Sequence, residues 1–143
     1  MANQQKRYGY MDGELGTPPP CYLSMQARLL SYSPEEGLRI AMPVLDHYLN
    51  PAGSMQGGFI MAAFDNVFGP LCILASGTSA SAAVDMGLSF HRPIFSGDEL
   101  VIAAQVQSRG KTIVNMVAQA YNRDNKLVAS ASTNYILLIK PAE

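Results

Sequence analysis

Residues 57–75 read GGFIMAAFDNVFGPLCILA and form the one run long enough either to cross a membrane or to fill the core of a domain. Apolar side chains occur around most of the circumference of a helix drawn through this run, which predicts a buried α-helix. Asp65 and Asn66 at its centre and Gly69-Pro70 after them are costly in lipid, so we predict a core helix rather than a membrane span. Pro70 lacks an N–H group, which predicts a kink or an early end of the helix there.

Stretches typical of β-strands lie on both sides of this helix. Apolar residues at the even positions 84–90 alternate with Ala83, Asp85 and other small or polar residues, which predicts an apolar face and an opposite face that carries Ala83 with Asp85. Five further strands are predicted at residues 24–33, 37–44, 99–107, 112–121 and 127–139, separated by turn signals. The order β-β-α-β-β-β-β predicts an α+β fold, in which one long helix packs against a mostly antiparallel sheet of five to six strands.

Length and composition limit the classes of protein. The chain has 143 residues, and we predict an irregular N-terminal arm at residues 1–20 and a single domain at residues 21–143. The formal net charge is −1 and no Lys/Arg cluster occurs, which argues against binding to nucleic acid or to an anionic membrane surface. Charged residues make up 15% of the chain, against about 25% in an average domain. So few charges predict that part of the surface is covered in an oligomer.

Cysteine and histidine usage excludes several kinds of site. Cys21 and Cys72 are too few for a disulfide framework or a four-thiolate zinc site, and no spacing of His, Cys, Asp and Glu suggests a metal. The first twenty residues contain no apolar targeting segment, so we expect a cytoplasmic protein with reduced thiols. His47 beside Asp46 is conceivable as a pair that polarises Ser54 or Cys72, but no nucleophile-elbow motif supports it.

Asp65 is the residue that suggests chemistry, because a lone carboxylate within an apolar helix is costly unless it is paired or functional. Its neighbours at helical spacing include small residues, which leave room beside the carboxylate for a substrate or for another backbone. These neighbours are Gly58, Met61, Ala62, Phe68, Gly69 and Cys72. Asp65 is therefore either a catalytic group or a structural one that caps a loop or bridges to another subunit.

Gln56-Gly57-Gly58 at the predicted start of the helix offers a second feature. Backbone N–H groups in the first turn have no acceptor within the helix, and with the helix dipole they favour a developing negative charge. Glycines before helices also serve close packing, so the motif alone is a weak signal. Gly57 and Asp65 are eight residues apart, ~12 Å along the axis at ~1.5 Å per residue. One chain therefore cannot bring both features to one reacting carbonyl, and we predict a homodimer in which two antiparallel helices complete each site.

With these features the sequence resembles a known family, the hotdog-fold acyl-CoA thioesterases of the phenylacetate-pathway and 4-hydroxybenzoyl-CoA type. The resemblance covers residues 36–139 in consistent order and spacing, which is more specific than any single motif. The matching stretches are NPAGSMQGG (50–58), DN (65–66), AVDM (83–86), FHRP (90–93), SGD (96–98), RGK (109–111) and LVA (127–129). The fold that it implies is a long helix wrapped by an antiparallel sheet, with dimers that often pair into tetramers.

The resemblance also implies roles for individual residues, because Asn50, Gly57, Gly58 and Asp65 fit the family pattern in register. Asp65 would be the general base or nucleophile that attacks an acyl thioester. The Gly57 N–H would polarise the thioester carbonyl, and Asn50 would orient the carbonyl or the attacking water. Coenzyme A would enter only as part of the substrate, with no other cofactor and no metal.

Two positions depart from the family pattern. Gln56 stands where the family has a histidine and would take its place among the catalytic residues; it keeps a hydrogen-bonding side chain but does not titrate. Ala83 stands where the family often has Ser or Thr that holds the attacking water. These departures keep a second hypothesis open, a non-catalytic acyl-CoA-binding protein with the same fold. A hotdog hydratase is a third reading, but the histidine-containing hydratase signatures are absent.

Further candidates contact the substrate rather than react with it. Arg92, Arg109 and Lys111 are suited to the phosphates of coenzyme A, although a solvated surface charge is the more common state for any one of them. Apolar residues near the helix suit a flexible acyl pocket, and a plain core explains them as well. The predicted binding set is Gly58, Met61, Phe68, Ala83, Arg92, Arg109 and Lys111.

Overall fold

The computed structural model describes residues 15–138, which form six strands and one long helix. Residues 1–14 of the predicted arm, and Ile139 at the predicted end of the last strand, lie outside the described residues. The elements are α1 (Pro20–Ser24), β1 (Arg28–Ser33), β2 (Gly37–Pro43), a 3-10 turn (Asp46–Tyr48), α2 (Gly57–Ser76), β3 (Ser81–Phe90), β4 (Glu99–Arg109), β5 (Ile113–Tyr121) and β6 (Leu127–Leu137).

All six strands join one antiparallel sheet in the order β1-β2-β4-β5-β6-β3. The chain leaves β2 through α2 and returns at the far edge of the sheet, so that α2 crosses one face and contacts five of the strands. The interface between helix and sheet is the hydrophobic core. Its fully buried members include Phe64, Val67, Phe68, Leu38, Ile40, Leu100, Ile102 and Met116. Burial of each such side chain stabilises the fold by about 1.5–3 kcal/mol. The predicted α+β architecture is confirmed.

The helix α2 begins where it was predicted and continues beyond Pro70. Pro70 is buried in the core and the helix ends six residues later, so the predicted early end is wrong. The packing of Leu71 and Cys72 against the sheet outweighs the loss of one hydrogen bond at the proline. Gly77 terminates the helix in the left-handed conformation (φ 78°), and its N–H donates to the Ile73 carbonyl at 2.8 Å.

The start of the described chain differs from the prediction. A strand was predicted from residue 24, but Pro20–Ser24 is a short helix and β1 begins at Arg28. Asn66 explains the difference, because its buried side chain donates to the Cys21 carbonyl and to the Met25 sulfur, both at 3.1 Å. This contact fixes α1 against α2 across more than forty residues of sequence.

A β-bulge in β3 overturns the predicted face of Ala83, while the predicted alternation of residues 85–90 is confirmed. Ala83 pairs with Tyr135 of β6, but the next pair along the ladder joins Asp85 to Asn134, so Val84 is an extra residue. Residues directly opposite each other in an antiparallel pair share a face. Ala83 therefore lies on the helix side of the sheet with Met86, and Asp85 lies on the outer side, whereas the alternation had placed Ala83 with Asp85.

One side of the described domain is open. The helix stripe of Gly58, Met61, Ala62 and Asp65 is exposed, with Met61 at 41%, so the predicted burial of α2 is confirmed within one chain only for its other faces. The adjacent edge strand β3 has Val84 exposed at 59%. By length and hydropathy α2 is also a candidate membrane span. Half of the 18-residue stretch that meets this criterion is buried within the domain, however, as in a core helix.

Candidate active site

The N-terminus of α2 presents two backbone donors without a partner. The N–H groups of Phe59 and Ile60 both donate to the Gln56 carbonyl, at 3.0 and 3.1 Å. Gly57 and Gly58 precede them, and no acceptor for their N–H groups occurs among residues 15–138. The Gln56 side chain is exposed and does not cap the helix. The positive end of the helix dipole is therefore directed at open space.

A cavity of about 480 Å³ lies in front of these donors. Its lining combines the loop before α2, the first turn of α2 and the end of β3: Asn50, Ser54, Met55, Gly57, Ile60, Phe90, His91, Arg92 and Pro93. A Cβ built on Gly57 would lie 3.0 Å from the ring of Phe90, so glycine allows the ring to cover the helix end. Phe90 was not predicted as a site residue, although it begins the stretch FHRP (90–93) that resembles the family.

Asn50 organises the loop that leads to the helix. Its Oδ1 accepts from the N–H groups of Ala52 and Ser54, and its Nδ2 donates to the Ser54 hydroxyl at 3.0 Å. Gln56 is held by its backbone, whose N–H donates to the Tyr48 carbonyl at 2.7 Å. Both residues therefore lie beside Gly57. Asn50 lines the cavity with its amide engaged in the loop, and a catalytic role for either residue stays a prediction.

Asp65 lies on the open stripe of α2, two turns beyond Gly57. The hydroxyl of Tyr135, on β6, donates to Asp65 Oδ1 at 2.5 Å. Burial raises the pKa of Tyr135 far above its usual value, and the hydrogen bond to Asp65 and its charge raise it further. Tyr135 therefore stays protonated and acts as a donor to the carboxylate at any ordinary pH.

A second cavity, of about 290 Å³, opens beside Asp65. Its lining is mainly apolar and includes residues of α1: Cys21, Ser24, Met25, His47, Tyr48, Phe59, Ala62, Asp65 and Asn66. The rings of Tyr48 and Phe59 stack with centroids 4.5 Å apart and form one wall. The contribution of α1 was not predicted, because no local pattern in residues 20–24 indicates a helix.

The predicted basic residues lie at opposite ends of α2. Arg92 lines the cavity at Gly57, and its Nη1 donates to the Leu127 carbonyl at 3.3 Å. Arg109 caps the other end of the helix, where Nη1 donates to the Ala75 carbonyl at 2.6 Å. Lys111 lies beside Arg109 on a third cavity, which Ser76 and Thr78 also line. Arg109 thus has a structural role that the sequence did not indicate.

The remaining predicted residues divide between surface and core. Gly58 and Met61 lie on the open stripe, and Ala83 is exposed on the adjoining edge strand. Phe68 is fully buried on the side of α2 that faces the core, where its ring stacks on that of Phe64. It lines none of the three cavities described above. A substrate contact at any of these positions stays a prediction.

The alternative nucleophilic arrangement does not assemble. Asp46 accepts a hydrogen bond from the Ser96 hydroxyl, while the His47 ring packs edge-on against Tyr48. The Ser54 hydroxyl accepts a hydrogen bond from the Asn50 side-chain amide. Cys72 is buried in the core, and desolvation raises the pKa of its thiol. No group of three or more His, Cys, Asp or Glu side chains suited to a metal occurs within residues 15–138.

Comparison with known proteins bears on this arrangement of helix, glycines and carboxylate. The family model of the thioesterase superfamily matches residues 52–129, a stretch that contains Gly57, Asp65 and Ala83. The chain belongs to the thioesterase superfamily. This match confirms the resemblance on which the site was predicted, and it makes the protein a thioesterase by family.

Individual members of this superfamily share both sequence and fold with the chain. The mouse protein acyl-coenzyme A thioesterase 13 is 28% identical over 102 residues, covering 71% of this chain and 72% of its own length. A phenylacetic acid degradation-related protein of Ralstonia eutropha JMP134 is 30% identical, with a TM-score of 0.77 over 85% of this chain and 92% of that one. The Escherichia coli PaaI protein is 27% identical, with a TM-score of 0.73 over 81% and 86%. The hotdog fold is therefore confirmed.

Proposed function

We propose that this thioesterase hydrolyses acyl-CoA to a free acid and coenzyme A, with Asp65 as general base or nucleophile and the Gly57 N–H as oxyanion donor. One observation carries the proposal: a single helix presents two unpaired N–H groups at its start and, two turns on, a carboxylate held on an open face. The acyl-CoA substrate is supported by the mouse relative, whose name states that activity.

The proposed site is completed by a second copy of the chain. Gly57 and Asp65 are separated by ~12 Å along the helix axis, too far for one carbonyl to meet both. The exposed helix stripe with Met61 and Ala62 adjoins β3, a ten-residue edge strand whose one charged side chain is Asp85. An edge of this length with a single charged side chain favours pairing with another strand. A two-fold axis that pairs β3 with its copy sets two α2 helices antiparallel, and brings Asp65 of the partner subunit toward Gly57.

The same reasoning extends to a dimer of dimers. The outer face of the sheet has a patch of small, uncharged side chains, to which Gly87, Ser89, Ser130 and Ser132 contribute. Such a surface packs closely against another sheet without burying unpaired charges. We propose this face as the contact between two dimers.

In the proposed reaction Asp65 takes a proton from water as the water oxygen attacks the thioester carbonyl carbon. The carbonyl electrons move to oxygen, where the Gly57 N–H and the helix dipole stabilise the negative charge. Collapse of this intermediate breaks the carbon–sulfur bond, and the thiolate receives the proton from Asp65. In the nucleophilic variant an Asp65 oxygen attacks the carbonyl carbon, and the carbon–sulfur bond breaks as coenzyme A leaves as the thiolate. Water then hydrolyses the acyl anhydride, which frees the acid, regenerates Asp65 and supplies the proton for the thiolate. Neither path requires a metal or a further cofactor.

The cavities suggest how the substrate lies. Because the thioester carbonyl must reach Gly57, the cavity in front of Gly57 is the proposed thioester site. The apolar cavity beside Asp65 is the proposed acyl site. Arg109 and Lys111 lie near Ser76, which is eleven residues or ~16 Å along the axis from Asp65. That separation suits the phosphate end of coenzyme A, which lies at the far end of the pantetheine arm.

Replacing Lys111 with alanine is expected to raise KM for acyl-CoA by about 3- to 10-fold, the loss of one exposed phosphate contact. KM for the matching acyl-pantetheine, which lacks the nucleotide, should not change. Lys126→Ala, in the β5–β6 turn, is the control because it removes an equally exposed charge at another place. An equal rise in KM for both substrates would contradict phosphate binding at Lys111.

A second candidate function, acyl-CoA binding without hydrolysis, is favoured by Gln56 and by Ala83, whose methyl group faces the helix side of β3. Thiol release from a panel of aliphatic and aromatic acyl-CoA thioesters separates the two functions. We expect at least one substrate to turn over at about 1 s⁻¹ or faster, within the ordinary range of enzymes. Saturable binding of an acyl-CoA without thiol release would instead establish the binding protein.

A further inference from the structure

Tyr135 is the side chain that contacts the proposed catalytic carboxylate from within the fold. It is only 5% exposed, and its hydroxyl donates to Asp65 Oδ1 at 2.5 Å from the strand β6. The contact joins residues seventy positions apart, so it depends on the packing of the helix against the sheet. A tyrosine at this position therefore reaches the open face of α2 from the core side.

Small residues create the space in which the Tyr135 hydroxyl meets Asp65. Gly69 lies one turn after Asp65 on the same side of α2, and a Cβ built there would lie 3.9 Å from the Tyr135 hydroxyl oxygen. Ala83 is the residue directly opposite Tyr135 in the β3–β6 ladder and shares its face. Larger side chains at these two positions would compete with the hydroxyl for the space beside the carboxylate.

Tyr135 keeps its proton and therefore acts on Asp65 as a hydrogen-bond donor. Burial and the nearby Asp65 carboxylate both raise the pKa of Tyr135, and the Cys72 thiol contributes in the same direction. A phenol that keeps its proton can donate to Asp65 but cannot serve as a base. Its donated hydrogen bond restrains the carboxylate, since hydrogen bonds to charged groups are among the stronger ones in proteins.

We propose that Tyr135 is the positioning residue of Asp65: by holding Oδ1 it directs Oδ2 toward the open face, where water and the thioester are bound. The inference rests on the proposed role of Asp65. Without the hydroxyl the Asp65 side chain samples several rotamers, and a misplacement of about 1 Å is enough to slow a reaction by about 100-fold. Tyr135 does not touch the substrate, so it acts on the rate of the chemical step and not on substrate binding.

Tyr135→Phe tests the inference because it removes one oxygen and keeps the ring that fills the core. We expect kcat to fall by about 10- to 100-fold while KM changes by less than about twofold. Binding of a non-hydrolysable thioether analogue of the substrate should match that of the wild type, which shows that the site is intact. Tyr121→Phe is the matched control: Tyr121 lies seven residues along β5 from Val114, the partner of Tyr135, or ~23 Å away. Its kcat should equal that of the wild type.

Two results would overturn the positioning role. One is a kcat for Tyr135→Phe within about twofold of the wild type. The other is a parallel loss of kcat, analogue binding and thermal stability, which would make Tyr135 a packing residue. The variant Asp65→Asn separates this failure from failure of the proposed function. If Asp65→Asn is inactive while Tyr135→Phe is fully active, Asp65 is catalytic and does not need Tyr135.

Discussion

Replacing Asp65 with asparagine is expected to lower kcat for acyl-CoA hydrolysis by about 10³-fold, within the range of 10²–10⁴ for loss of a catalytic base, with KM within about twofold. Asparagine has the shape of aspartate and still accepts a hydrogen bond from Tyr135, so the side chain keeps its position. It can neither take a proton from water nor attack the thioester. The measurement is steady-state thiol release with the preferred acyl-CoA substrate.

The control for this variant is Asp124→Asn, which removes the same charge from the exposed β5–β6 turn. Its kcat and KM should equal those of the wild type. If Asp65→Asn kept a tenth or more of the wild-type kcat, Asp65 would be neither base nor nucleophile. The carboxylate would then have the structural role, bridging α2 to β6 through Tyr135, that the sequence had left open.

Removal of the Gly57 N–H is expected to lower kcat by about 10²- to 10³-fold, the usual effect of losing one oxyanion donor. Gly57→Pro achieves this within the backbone. Gly57 is the first residue of α2, where proline is well tolerated, and Gln56 already has the extended conformation (φ −63°, ψ 140°) that precedes proline. The helix should therefore keep its start, which circular dichroism and thermal unfolding will check.

The matched control is Gly57→Ala, which keeps the N–H group. Alanine introduces the same Cβ, 3.0 Å from the tip of the Phe90 ring, so both variants displace the ring alike. The ratio of the two kcat values thus reports the loss of the N–H group, whose hydrogen the proline Cδ replaces. Equal kcat values for the proline and alanine variants would contradict an oxyanion role for Gly57.

The sequence was sufficient for the architecture because the decisive patterns are local. A mainly apolar run predicted α2 from Gly57 onward, and alternating or apolar stretches predicted the six strands to within a few residues. The prediction at Pro70 was wrong because proline has a low helix propensity. Packing of the surrounding core stabilises the helix there in spite of it. The helix α1 was missed for the related reason that its support comes from Asn66, far along the chain.

Features of the site that depend on pairing between distant segments could not be predicted. The bulge at Val84 is defined by the pairing of β3 with β6, which the sequence of β3 does not contain. The alternation of apolar and polar residues along β3 therefore placed Ala83 on the wrong face. Tyr135 lies within a predicted strand, but nothing local identified Asp65 as its partner. Asp65 and Gly57 themselves were evident, because a carboxylate in an apolar helix and a glycine pair at its start are unusual in sequence. That two chains combine them in one site stays a prediction, which rests on their spacing along the helix.

The central claim, that each active site takes Gly57 from one subunit and Asp65 from the other, is tested most directly by mixing the two inactive variants. Asp65→Asn and Gly57→Pro chains with different affinity tags are co-expressed, and the mixed dimer is purified through both tags. One of its two sites then combines an intact Gly57 with an intact Asp65, while the other site lacks both. Each mixed dimer should therefore show about half of the wild-type kcat per dimer, far above either variant alone. If the mixed dimer is as inactive as its parents, the two residues act within one chain or not at all, and the shared site is contradicted.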